Sequence, residues 1–213
     1  MRPGDYLAAL DEHRSVIFDL DNTLYDEHTF LFNGYRRVVQ YVALLTGLDS
    51  QEGYKFLRRT YMTEGRVGLF DKFIRQFRLQ SPVTRDCILD QLRNLSGVRL
   101  SCFSYCLEFF PRASKVFVIT NGNLSQQKAK CQSLGLLSLN KDLVIVYAAE
   151  HKPKPGDAAY NWLSSHYELV DPVYIGDDDS DAEFASRCGM TFGRISFNRD
   201  ADGMAIEATL RID

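Results

Sequence analysis

Four carboxylates, Asp177, Asp178, Asp179 and Asp181, fall within five positions in the stretch VYIGDDDSDAEFA. Like charges this dense repel one another. They follow an apolar run that reads as a buried strand, where unpaired charge is costly, so a cation is expected among them. A second acidic pair, Asp19 and Asp21, lies in VIFDLDNTLYDE. Two residues apart in extended chain, both point to the same side, although a D-x-D after a strand, taken alone, also reads as a solvated turn. In VITNGNLS, Thr120 and Asn121 bring a hydroxyl, an amide and backbone N–H groups to the start of a helical pattern. These are the makings of an anion site, or simply of a helix-capping loop. In AAEHKPKPGDAAY, Pro153 and Pro155 hold Lys152 and Lys154 in extended chain. A lysine presented rigidly can balance a phosphate, whereas most loop lysines are merely solvated.

Each of these stretches follows a short apolar run: VIF at 16–18, VFVI at 116–119, LVIVY at 143–147 and VYI at 173–175. A fifth run, MTFGRI, covers 190–195. Brief runs rich in Val, Ile and aromatics between turn residues read as buried strands of a parallel sheet. Helical patterns separate most of them (LSQQKAKCQSLGLL, AAYNWLSSHY and SDAEFASRCG). The alternation predicts an α/β fold, a doubly wound parallel sheet.

Residues 28–100 break that rhythm. Apolar residues there recur at three- and four-residue spacing, Val38, Tyr41, Val42 and Leu45, then Phe70, Phe73, Ile74 and Phe77. Helices are expected over 29–47, 50–65, 67–79 and 84–97, with Gly47, Gly65 and Gly97 at their ends. The prediction is a core of residues 1–27 and 101–213 with a small all-helical domain, 28–100, inserted after the first strand.

At 213 residues and 45% apolar, the chain can bury a full core. A net charge of −3 gives no electrostatic case for nucleic acid or an anionic membrane as a partner. No apolar run approaches the length of a membrane span. Five cysteines without a C-x-x-C pair read as reduced thiols of a cytoplasmic protein.

A parallel sheet brings the carboxyl ends of its strands to one edge, where ligands of such folds bind. Asp19 and the 177–181 cluster would then offer oxygen ligands to a hard cation, while Thr120 and a lysine would meet a phosphoryl group. Mg2+ shared with a phosphate is the expected occupant.

With DLDNT, VITNG, the Lys-Pro stretch and IGDDDSD in that order, the sequence resembles the haloacid dehalogenase superfamily of phosphatases, the insert standing where that family has a helical cap. The resemblance implies that Asp19 is the nucleophile that takes the phosphoryl group. Asp21 would be the acid toward the leaving oxygen, holding a proton when substrate arrives, and then the base for water. The implied Mg2+ ligands are the side chains of Asp19 and Asp177, the backbone carbonyl of Asp21, Asp181 by the G-D-x-x-x-D spacing, and Asp178 through water. Thr120 and the Asn121 N–H would hold phosphate oxygens. Asp179 receives no role. Family members carry K-P-x-P-x-x-aromatic. Tyr160 puts Lys154 in register with the aromatic and Lys152 has both prolines, so Lys154 is favoured and Lys152 stays open.

The halide-displacing branch of the family lacks the second aspartate, so Asp21 argues against a dehalogenase. A phosphomutase acting on a sugar phosphate shares the site and is the alternative enzyme. A non-catalytic binding protein on the same fold would be marked by loss of Asp19 or Asp21, and both are present. The expected partner is a small phosphate ester. Arg36 and Arg66 are the insert residues placed to select it.

Overall fold

The computed structural model describes residues 1–11 and 13–213. The chain divides into two compact units, Met1–Glu27 with Arg99–Asp213, and His28–Val98. The first unit opens with α1 (Pro3–Ala9), its proline on the first turn where no N–H is required, and β1 (Val16–Phe18).

The second unit is all helix: α2 (Glu27–Thr46), which starts at the joint, then α3 (Ser50–Glu64), α4 (Leu69–Gln76) and α5 (Arg85–Arg93). Asp49 and Thr84 start α3 and α5 by accepting the N–H of Glu52 and Cys87. Two glycines set how closely the helices cross. A Cβ on Gly53 would come within 2.7 Å of Val39, and one on Gly34 within 2.6 Å of Leu92. Val38, Val42 and Phe73 are buried as their periodicity predicted, and the rings of Phe56, Phe73 and Phe77 pack at 5.2–6.2 Å. Leu45, on the same predicted stripe, is exposed. The fourth helix stops at Arg93, short of the expected 97. Asn94 caps it, and Gly97 lies in the link that follows.

The first unit resumes with α6 (Ser104–Phe109), β2 (Val116–Thr120), α7 (Leu124–Ser133), α8 (Leu136–Leu139), β3 (Val144–Tyr147) and α9 (Ala158–His166). It ends with β4 (Val173–Gly176), α10 (Asp179–Arg187), β5 (Thr191–Arg199) and β6 (Ala205–Ile212). The pattern predicted as one helix over 124–137 is broken by Gly135, which sits in the left-handed region (φ 63) between α7 and α8.

The six strands run in the order β3-β2-β1-β4-β5-β6. The first five are parallel, and β6 pairs antiparallel with β5. Because β2 and β4 lie on opposite sides of β1, the connections diverge there and leave a crevice at its carboxyl end. Register does the rest. Phe18 lies level with Val118 on one side and Ile175 on the other. Asp19, Thr120 and Asp177, one or two residues further on, therefore leave the sheet at the same edge. Ile17, Phe117, Ile119, Val146, Tyr174 and Phe184 fill the core between sheet and helices. No helix among the described residues is long and apolar enough to cross a membrane.

Candidate active site

Asp19 follows β1 directly, and its N–H donates to the Ile175 carbonyl at 2.8 Å, which fixes it against β4. Its carboxylate accepts from Lys154 Nζ at 2.5 Å. The same ammonium donates to Asp181 Oδ1 and to the Tyr174 hydroxyl oxygen, both at 2.6 Å. Lys154 is 6% exposed and Asp181 1%. A buried ammonium must be paired. Burial alone would lower its pKa, but Asp19 and Asp181 outweigh that and push it up. Beneath Asp181 the chain can be only glycine, since a Cβ on Gly176 would collide with that carboxylate.

Oxygens of Asp19, Asp177 and Asp181 all lie within 4.8 Å of one another. Three carboxylates thus face one ammonium. Burial, then the charges of Asp181, Asp178 and Glu27, push Asp177 up to about 7. Burial also raises Asp19, and although Lys154 opposes it, Asp181, Asp21 and Asp177 add to the rise. The donor set is all oxygen and carries excess negative charge, which suits a hard divalent cation. The residues therefore fit Mg2+.

Asp21 goes elsewhere. Lys130 Nζ on α7 grips both its oxygens, at 2.7 and 2.9 Å. Gln127 Nε2 donates to it at 2.9 Å, and the Tyr25 hydroxyl at 2.5 Å. Burial would raise its pKa, but Lys130 and the hydrogen bonds from Gln127, Lys130 and Tyr25 hold it below the ordinary carboxylate value. These partners work against the proton that Asp21 was expected to hold when substrate arrives. Its ion-pair partner is a lysine that the sequence analysis did not single out.

The loop after β1 is tied down further. Asn22 takes a left-handed conformation (φ 53), its Oδ1 accepting from Glu27 N–H and from Arg199 at 3.1 Å. Arg199, at the end of β5, also donates to Asp26 at 2.8 Å, and Asp26 accepts the N–H of Ala205 from β6.

Thr120 is buried at the end of β2, and its Oγ1 accepts from Gln127 Nε2 at 2.8 Å. The Asn121 side chain pairs both ways with the Lys154 backbone, accepting its N–H at 2.8 Å and donating to its carbonyl at 3.1 Å. This clasp carries the lysine loop to the end of β2. The prolines were expected to hold both lysines in extended chain, which left Lys152 open beside Lys154. Instead the chain turns, Gly156 N–H donating to the Pro153 carbonyl, so Lys154 goes in and Lys152 stays exposed.

Asp178, expected to join the metal through water, has a structural role as well. It is exposed and caps α10, its Oδ1 accepting from Asp181 N–H at 2.9 Å and from the Ser180 hydroxyl at 2.8 Å. Asp179 points outward and pairs with Arg194. Arg36 and Arg66 are exposed in the helical unit, Arg36 lying 4.9 Å over the Tyr54 ring.

Lys130, Gln127, Tyr174 and Arg199 are the residues that sequence reasoning missed. Gln127 and Lys130 had one legible signal, a polar pair three apart on the helix that follows VITNG.

No protein-family model matches the sequence, and no curated protein does. Solved structures do. The HAD hydrolase YfnB of Bacillus subtilis, described as bound to magnesium, aligns over 85% of this chain and 86% of its own, at 13% identity and TM-score 0.61. A HAD-superfamily hydrolase of subfamily IA from Geobacter sulfurreducens aligns over 85% and 86%, at 18% identity and TM-score 0.60. A HAD phosphatase from Thermococcus onnurineus aligns over 90% and 91%, at 21% identity and TM-score 0.53. Other similar chains are described as dehalogenases. The chain has the haloacid dehalogenase fold.

Proposed function

We propose that the protein is a Mg2+-dependent phosphatase that hydrolyses a small phosphate monoester through Asp19. The observation that carries this reading is the cluster of buried Asp19, Asp181 and Lys154 with half-buried Asp177, and Asp21 two residues from the nucleophile. Asp19, Asp177 and the backbone carbonyl of Asp21 would hold the ion, with Asp181 beside them. The ion would neutralise phosphoryl charge and keep Asp19 ionised.

Asp19 attacks phosphorus, and the bond from phosphorus to the ester oxygen breaks. Asp21 gives the leaving oxygen its proton. In the second half Asp21 takes a proton from water, which attacks the aspartyl-phosphate and releases Asp19 and inorganic phosphate. Lys154, Thr120 and the Asn121 N–H oppose the charge that builds on the phosphoryl oxygens. Lys130, Gln127 and Tyr25 favour the charged form of Asp21, which must gain a proton before the first half. An arriving phosphate supplies the cause, because a nearby like charge favours the neutral acid.

Some proteins of this fold are described as dehalogenases. Displacing halide needs no acid at the leaving group, and Asp21 would then have no task.

The test is phosphate release from p-nitrophenyl phosphate with Mg2+. Chelation should abolish it, and Asp19→Asn should lower it at least a thousandfold while the melting profile stays cooperative. Near-full activity of purified Asp19→Asn would overturn the assignment of the nucleophile.

A further inference from the structure

We propose that Gln127 and Lys130, three residues apart on α7, are positioning residues that lock Asp21 and Thr120 into one unit. The acid and base would then be held in fixed relation to the phosphate-binding hydroxyl. This inference rests on the phosphatase reading above.

The geometry is specific. Lys130 is 5% exposed and Gln127 2%, far more buried than such side chains usually are. One ammonium bridging both Asp21 oxygens, at 2.7 and 2.9 Å, resists rotation of the carboxylate about its last bond. Gln127 Nε2 touches three groups: Asp21 Oδ2 at 2.9 Å, Thr120 Oγ1 at 2.8 Å and the Asn121 carbonyl at 2.5 Å. The donation to Thr120 occupies a lone pair of that hydroxyl and turns its own hydrogen away from Gln127. Among the described residues that hydrogen meets a long contact, 3.3 Å to the Asn121 carbonyl, so it is disposed to donate to a phosphoryl oxygen. Asn123 caps α7 by accepting the Gln126 N–H at 3.2 Å. The helix therefore starts immediately beyond β2, and Gln127 and Lys130 inherit their places from the sheet. A loop after β1 and the end of β2 are thus clamped by one turn of a third element.

A salt bridge that only stabilised the fold would lower activity equally for every ester. A positioning role for the acid makes a different prediction, because a poor leaving group needs its proton more than a good one does. The test uses Mg2+ and a series of substituted phenyl phosphates, from nitrophenyl to unsubstituted phenyl, with Lys130→Met, Asp21→Asn and the double variant. Lys130→Met should lose about tenfold in kcat/KM on the nitrophenyl ester and about a hundredfold on the phenyl ester, since kcat/KM reports the half-reaction in which the ester oxygen leaves. The double variant should fall no more than about threefold below Asp21→Asn alone, since residues acting as one unit are not additive. Gln127→Leu leaves the ion pair in place and keeps the question measurable should Lys130→Met not fold. It should steepen the same dependence on leaving group. Through Thr120 it should also weaken competitive inhibition by inorganic phosphate five- to twentyfold. An equal loss across the series, full additivity in the double variant, or unchanged phosphate inhibition in Gln127→Leu would each overturn the inference while leaving the phosphatase reading standing. A wild-type protein that hydrolyses none of the esters would remove both.

Discussion

Two buried lysines each meet one aspartate of the same D-x-D segment, yet the pairs are built differently. Lys154 has an Asp19 side chain 10% exposed on one side and an Asp181 side chain 2% exposed on the other, with Tyr174 between. Lys130 meets Asp21 alone of those acids, and that side chain is 22% exposed. In the first group negative charge outnumbers positive, and Asp19 and Asp177 shift upward. In the second, lysine, amide and phenol all serve one carboxylate, which shifts downward. Residue type is the same in both pairs, and surroundings set the task. One carboxylate is left needing a cation, and the other already has one.

The largest difference is expected on deleting each ammonium. Lys154→Met strands two buried carboxylates and should cost about 3–5 kcal/mol of stability. Lys130→Met leaves one partly exposed carboxylate that keeps two other donors, and should cost about 1–3 kcal/mol. Urea unfolding of both variants checks this. Equal losses would break the distinction between a crowded and a matched pair.

The pH dependence of stability comes next, and the two groups differ in sign. An acid with a raised folded pKa binds its proton more tightly when folded. Asp177 should therefore make stability fall as pH rises from about 4, where an unfolded carboxylate titrates, toward its folded value of about 7. Asp21, shifted downward, contributes stability that is present above about pH 4 and lost only as pH falls through its lower folded value. Mg2+ should cancel the first effect and not the second. The rise in melting temperature on adding Mg2+ should grow between pH 5 and pH 8 and shrink in Asp177→Asn. A Mg2+ effect that is flat with pH would contradict the excess-charge account.

The smallest effect lies at the cluster's edge. Asp178→Ala removes a helix cap and should cost about 1 kcal/mol with Mg2+ affinity unchanged, as titration calorimetry would register. A large fall in that affinity would return Asp178 to the ligand set.

The sequence carried the fold well where one physical rule dominates. The apolar runs at 16–18, 116–119 and 173–175 became β1, β2 and β4, because strands buried on both faces have to be apolar. β6 escaped notice because Ile206 and Ile212 are exposed and only Leu210 is buried, so no apolar run marks it. The turn residues at 200–203 between two alternating stretches were the signal for that hairpin. At the site, Asp19 and Asp177 follow strand ends directly, Thr120 ends β2 and Asp21 lies in the turn just past β1, so strand register places them. Lys130 was illegible for the opposite reason. A lysine on a helix reads as a solvated one, and only the tertiary approach of α7 to the β1 loop buries it. Asp178 was hard to read because capping and metal ligation call for the same side chain.

The ties on the loop at 19–26 also fix when it can take shape. Its partners are Tyr105, Gln127, Lys130, Lys154 and Arg199, together with the Ala205 N–H that Asp26 accepts. Every one of them lies downstream. In a chain made from its amino end, Asp19 therefore leaves the ribosome well before Ala205, the farthest of these braces in sequence. The loop cannot close fully until that brace has been made, so a chain stopped short of Ala205 would hold Asp19 without its framework.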